Sequence, residues 1–161
     1  MMKNVPTKYV NNKSTDTLRA AVENQAKWIY YLTVEGMENG LSCEFAKDAM
    51  KELGEYYADT EYKDCDTAGK LSKKLMRRSM EFGHEAEIED LGEEGFDLKI
   101  GYCPMVNLWS KLTDDEERIG TLCDVACSMY DKIAEKKGLR FEKTAAITQG
   151  CEACRLSFRK E

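Results

Sequence analysis

The hydrophobic period of this chain changes once, near residue 84, and that change limits the fold more than any single motif. Before it, apolar residues recur at every third or fourth position, as on amphipathic helices. After it, two stretches alternate residue by residue, as half-buried strands do. The polar lead-in Asn11 to Thr15 is followed by Leu18, Ala21, Val22, Trp28, Ile29 and Leu32, a stripe that predicts a buried helix face ending at about Asn39, with Gly40 as its stop. Ser42 is suited to cap a second helix, whose stripe is Ala46, Ala49, Met50, Leu53 and Tyr57. A third is expected from near Thr67, carrying Leu71, Leu75, Met76, Ser79 and Phe82 up to Gly83.

Residues 86–103 read as two strands joined by Gly92-Glu93-Glu94-Gly95, because Phe96, Leu98, Ile100 and Tyr102 alternate with Asp97, Lys99 and Gly101. Pro104 fits the first turn of a short helix holding Met105, Leu108 and Trp109, which places Cys103 at a strand-to-helix junction. Thr113 to Glu116 has the form of a capping box, and Ile119, Leu122, Cys123, Ala126, Met129, Tyr130 and Ile133 form the buried stripe of the helix it opens. Residues 139–149 and 153–159 read as a second hairpin turning through Gly150. The expected architecture is one α+β domain over residues 1–161, in which an antiparallel sheet of two hairpins is packed on one face by about five helices. Its parts are a lead-in (1–13), a helical half (14–83) and a hairpin-helix-hairpin half (84–161).

A net charge of -6 argues against a nucleic-acid partner, because phosphate binding needs clustered Lys and Arg in excess over neighbouring acids. No apolar run approaches the roughly 18 residues of a membrane span. The leading residues lack the apolar stretch of a secretory signal. A cytoplasmic protein with reduced thiols is therefore expected, and the odd count of seven cysteines agrees with it.

Those thiols are the chemistry the sequence offers. Cys123 and Cys154 fall on apolar faces, Cys127 at the margin of its helix stripe, Cys103 at a helix start, and Cys151 in a turn. Each arrangement has more than one reading: a nucleophile, a ligand of a divalent metal such as zinc, or plain core packing. Cys103, Cys123, Cys151 and Cys154 are the candidate metal ligands. His84 is the lone imidazole of the chain, so any mechanism that needs one depends on it. Asp124 sits about 100° around the helix axis from Cys123. Tyr102 and Trp109 are candidate walls of a small-molecule pocket, and Arg155 is a candidate clamp for a substrate carboxylate, alongside Arg19, Arg77 and Arg140.

Three segments resemble the L-2-amino-thiazoline-4-carboxylic acid hydrolase family. They are AKWIYYL with the following EFAKDAMKELG, YCPMVNLWSKL with GTLCDV, and the closing ITQGCEACRLSF. The resemblance implies that Cys103, Cys123 and Cys154 are the recurring thiols and Asp124 the acid after the second of them. It also implies hydrolytic opening of a small thiazoline ring to give a carbamoylated cysteine. Cys151 departs from the pattern, standing where relatives carry Asp. With His84, these four residues make up the catalytic set expected, around a small-molecule ligand and in a monomer or a homo-oligomer. The rival classes are a noncatalytic small-molecule or metal-binding sensor of similar fold, and a scaffold subunit whose helices pair with a partner.

Overall fold

The structure is a computed structural model that describes residues 2–160. Helices α1 (Lys13–Glu38), α2 (Glu44–Asp59) and α3 (Ala68–Glu81) precede the hairpin β1 (Glu85–Gly92) and β2 (Gly95–Tyr102). Then come α4 (Pro104–Leu112), α5 (Glu116–Cys127), α6 (Met129–Lys136), β3 (Leu139–Ala145), a 3-10 turn (Ile147–Gln149) and β4 (Cys154–Lys160). The strands form one antiparallel sheet in the order β1-β2-β4-β3, so the two hairpins join through the central pair β2 and β4. This is the α+β arrangement expected, with α5 and α6 replacing one long helix.

Several boundaries follow from local chemistry. The side chain of Asn12 accepts the Thr15 amide and caps α1, and that of Thr67 accepts the Lys70 amide and caps α3. Pro104 occupies the first turn of α4, with Cys103 as its N-cap residue. At α5 the cap is Asp115, which accepts the Arg118 amide, while Thr113, two residues earlier, accepts the Asp115 amide; the cap expected at Thr113 thus lies two residues further on. The Ser128 hydroxyl donates to the Asp124 carbonyl at 2.8 Å, competing with the backbone ladder where α5 gives way to α6.

One face of the sheet is apolar. Phe96, Leu98 and Ile100 of β2 lie opposite Phe158, Leu156 and Cys154 of β4, and all six are buried under the helices. Phe96 and Phe158 stack with ring centroids 4.7 Å apart. The other face is wet, with Lys99 and Arg155 paired across the strands to Glu89.

The largest departure from the sequence expectation is the rotation of α1. Arg19, Val22, Ala26, Tyr30 and Thr33 face inward, whereas Leu18, Trp28 and Leu32 are exposed. Two contacts set that face. Trp109, fully buried, donates its indole N–H to the Ala26 carbonyl at 3.0 Å, which needs a small residue beneath the ring. Arg19 reaches Glu85 at 3.3 Å in the interior.

Helices α2 and α6 pack closely at Gly54, where a Cβ would lie 2.1 Å from the Met129 carbonyl oxygen. Gly54→Ala should therefore destabilise the fold by about 1–3 kcal/mol despite alanine's better helix propensity. Urea unfolding would check this; an unchanged or raised midpoint would show that the two helices separate freely.

Candidate thiol centre

Cys123 lies on the inner face of α5, and Cys127, one turn further on, shares that face. The Cys127 thiol hydrogen-bonds to the Cys123 sulfur. From the sheet side, the Lys143 ammonium on β3 donates to the same sulfur at 3.5 Å and also pairs with the Asp124 carboxylate. The Cys127 bond, opposed by burial and helped by Lys143, draws the Cys123 thiol down to about 7. Cys127 moves the other way, well above the ordinary thiol value, because it keeps the proton it shares with Cys123 and is buried. Burial works against the Lys143 charge, but Cys123, Cys127 and Asp124 outweigh it and keep the ammonium protonated. Of the two thiols in the cluster, Cys123 is the one whose ionised form these neighbours favour, with the Lys143 cation beside it.

The other thiols are in a different state. Cys154 is buried, accepts the Ile147 amide at 3.3 Å, and is pushed up to about 11 by desolvation. Burial pushes Cys103 up to about 12, and both Cys123 and Cys154 are near enough to add to the rise. The Cys103 sulfur lies 3.5 Å from His84 Nε2, while His84 Nδ1 meets the Ser79 carbonyl at 3.2 Å. A carbonyl only accepts, so Nδ1 carries the proton and Nε2 turns its lone pair toward the thiol. Desolvation lowers His84 to about 4, against the Ser79 bond and with help from Arg19. The lone imidazole is thus a neutral acceptor beside a thiol.

An open cleft of about 270 Å³ adjoins the Cys123 cluster, lined by Glu44, Lys47 and Lys51 of α2, Asp124 and Cys127 of α5, Ser128, Asp131 of α6, and Phe141 and Lys143 of β3. Its wall carries one thiol, Cys127, with Cys123 one hydrogen bond behind. Burial raises the Asp131 carboxyl, with Lys51 and Lys47 opposing.

Cys123 and Cys154 belong to one apolar core and Cys103 packs against it; His84 lies against Cys103, and Asp124 is joined to Cys123 only through Lys143. The expected binding residues do not join them. Trp109 is sealed in the core by its bond to Ala26, Tyr102 is buried with the Arg19 guanidinium 4.5 Å from its ring centroid, and Arg155 points from the opposite face of the sheet toward Glu89. Among the described residues no group of three or more His, Cys, Asp or Glu side chains is placed to hold a metal ion. The expected zinc set of Cys103, Cys123, Cys151 and Cys154 is therefore not assembled: Cys151 remains in the turn before β4, and the Cys154 sulfur is turned to the Ile147 amide. Sequence reasoning missed Lys143, Lys47, Lys51 and Asp131. Lys143 had a readable signal, a lysine in phase with Leu139 and Phe141 on a strand. Lys47 and Lys51 are brought in by α2 and Asp131 by α6, and no local pattern relates these helices to β3.

A family model described as L-2-amino-thiazoline-4-carboxylic acid hydrolase matches residues 10–158. No curated protein matches the chain. Among solved structures, a trafficking protein particle complex subunit 3 from Naegleria fowleri, covalently bound to palmitic acid, is similar in fold. The TM-score is 0.61 at 11% identity, over 86% of this chain and 94% of that one. No described helix is long and apolar enough to cross a membrane.

Proposed function

The chain belongs to the L-2-amino-thiazoline-4-carboxylic acid hydrolase family, and from that premise we propose that it opens a small cyclic thiazoline or amidine carboxylate at the cleft beside Cys123. One observation carries this reading: the Cys123 sulfur meets the Lys143 ammonium at 3.5 Å at the edge of the cleft, where Cys127 and Lys143 draw its thiol below the ordinary value. The thiolate attacks the carbon between ring nitrogen and ring sulfur, the carbon–sulfur bond breaks, and the departing sulfur takes a proton from Cys127 or Asp131. Water then adds to the S-linked carbon and expels Cys123, so one water is consumed and an N-carbamoyl thiol is released. Lys47 and Lys51 anchor the substrate carboxylate, and Lys143 balances the charge that shifts off sulfur. Incubation with 2-amino-thiazoline-4-carboxylate, followed by loss of ring absorbance and appearance of free thiol, tests this. No ring opening at stoichiometric protein and pH 8 would reject it.

A noncatalytic module is the second reading, favoured because the like-folded trafficking protein holds palmitic acid covalently and this chain's thiols lie among hydrocarbon. An intact mass carrying a stable adduct, with no turnover, would support that reading instead.

A further inference from the structure

Cys103 and His84 are absent from the walls of the cleft. Residues 2–9, which form no helix or strand, are tied to both sides of the pair. The Asn4 amide makes two bonds to the peptide of Cys103: its Nδ2 donates to the Cys103 carbonyl at 2.8 Å, and its Oδ1 accepts the Cys103 N–H at 2.9 Å. Next to His84, the buried Glu85 carboxylate accepts the Thr7 amide at 2.9 Å, the Thr7 hydroxyl at 2.8 Å and the Lys8 amide at 2.7 Å. Arg19 closes the junction by donating to the carbonyls of Gly83 at 3.1 Å and Lys8 at 3.3 Å.

What holds this segment is mostly polar. Of its apolar side chains, Met2 packs against the core, whereas Val5 and Tyr9 are 72% and 54% exposed. A segment with few buried apolar contacts opens at a fraction of the global unfolding free energy. Its pivot is marked by left-handed backbone at two non-glycine residues, Tyr9 (φ 55) and Asn11 (φ 58), just ahead of the Asn12 cap. Opening leaves the helices and sheet intact, because no strand or helix hydrogen bond is made by residues 2–9.

We propose that residues 2–9 are a detachable strap, and that lifting it widens access to the half-buried Cys103 and His84, a second thiol–imidazole pair that captures small carbon electrophiles. In the capture step the Cys103 sulfur bonds to carbon, its proton passes to His84 Nε2, and the leaving group departs with the electron pair. With the strap closed the pair is neutral, a thiol and an imidazole hemmed in by Arg19, the Ser79 carbonyl, Cys123 and Cys154. With it open, water reaches both groups more freely. This inference does not depend on the hydrolase reading, since Cys123 and its cleft lie outside it.

Two measurements test the strap. In the unaltered protein, hydrogen exchange should show the amides of Thr7, Lys8 and Cys103 exchanging as one group, faster than Leu98 and Leu156 in the central strands; exchange as slow as that of the sheet would overturn the proposal. In Asn4→Ala and Thr7→Ala, iodoacetamide labelling of Cys103, read by peptide mass, should rise about tenfold or more, and His84→Gln in the Asn4→Ala background should reverse most of that gain. A parallel rise at buried Cys65, or no rise at Cys103, would refute a local strap. The single histidine gives a third readout: its ring NMR signal should titrate nearer the ordinary 6.5 in the strap variants, and an unmoved titration would count against uncovering.

Discussion

Replacing Cys123 with Ser should lower ring-opening turnover by ~10³-fold or more while leaving thermal stability within a few degrees, because serine keeps a polar group for Cys127 and Lys143 but supplies no thiolate near neutral pH. Cys151→Ser, in the turn outside the cluster, should retain activity. The pH dependence follows from the lowered thiol: the nucleophile is the deprotonated form, so turnover and iodoacetamide labelling of Cys123 should both climb as pH rises through about 7 and then level off. Lys143→Met removes one of the two groups favouring the thiolate, so the inflection should move up toward the ordinary thiol value of 9.0 without reaching it, because the Cys127 bond remains. A Cys123→Ser protein that still turned over at the parent rate, or a parent inflection near 9, would remove Cys123 from the chemistry and shift attention to Cys103.

The second large effect is structural. Among the described residues Arg19 and Glu85 form the most deeply buried ion pair, with side chains 9% and 4% exposed, and the other groups bonded to Glu85, the Thr7 amide and hydroxyl and the Lys8 amide, carry no charge to replace the guanidinium. Arg19→Met retains much of the aliphatic volume but leaves the Glu85 carboxylate without its counter-ion and the Gly83 carbonyl without its donor. The expected loss is ~3–5 kcal/mol, a drop in Tm of roughly 10 °C. Arg19→Met with Glu85→Gln should recover part of it, because the glutamine leaves no charge behind. A double-mutant cycle in urea measures the coupling. Additive losses would mean that Arg19 acts mainly through packing on Tyr102, whose ring centroid lies 4.5 Å from its guanidinium.

Much of the architecture was legible because amphipathic periodicity and caps are local. Thr67, Pro104, Gly40 and the alternation of Phe96, Leu98 and Ile100 mark their elements without reference to anything distant in the chain. The inward faces of Cys123 and Cys154 were legible for the same reason. The orientation of α1 was not. A stripe scored on hydrophobicity prefers Leu18, Trp28 and Leu32, whereas the fold buries Arg19 because Glu85, 66 residues away, supplies the charge that makes burial tolerable.

The same distinction runs through the site. The order of helices and hairpins, the placement of Cys103 before a helix and the presence of one imidazole were written in the linear chain. The spacing of Cys123 and Cys127 on α5 is local, but the Lys143 contact and the burial of each thiol were decided by tertiary structure, since a sulfur's proton affinity depends on the nearest donors, charges and water. Cys123 meets Cys127 and Lys143 and is lowered; Cys103 meets His84 under a polar strap, and burial raises it. Lys143, Lys47 and Asp131 share a cleft because α2 packs on α6 and α6 on β3, a juxtaposition that comes from layers closing on a common core and that no local pattern encodes.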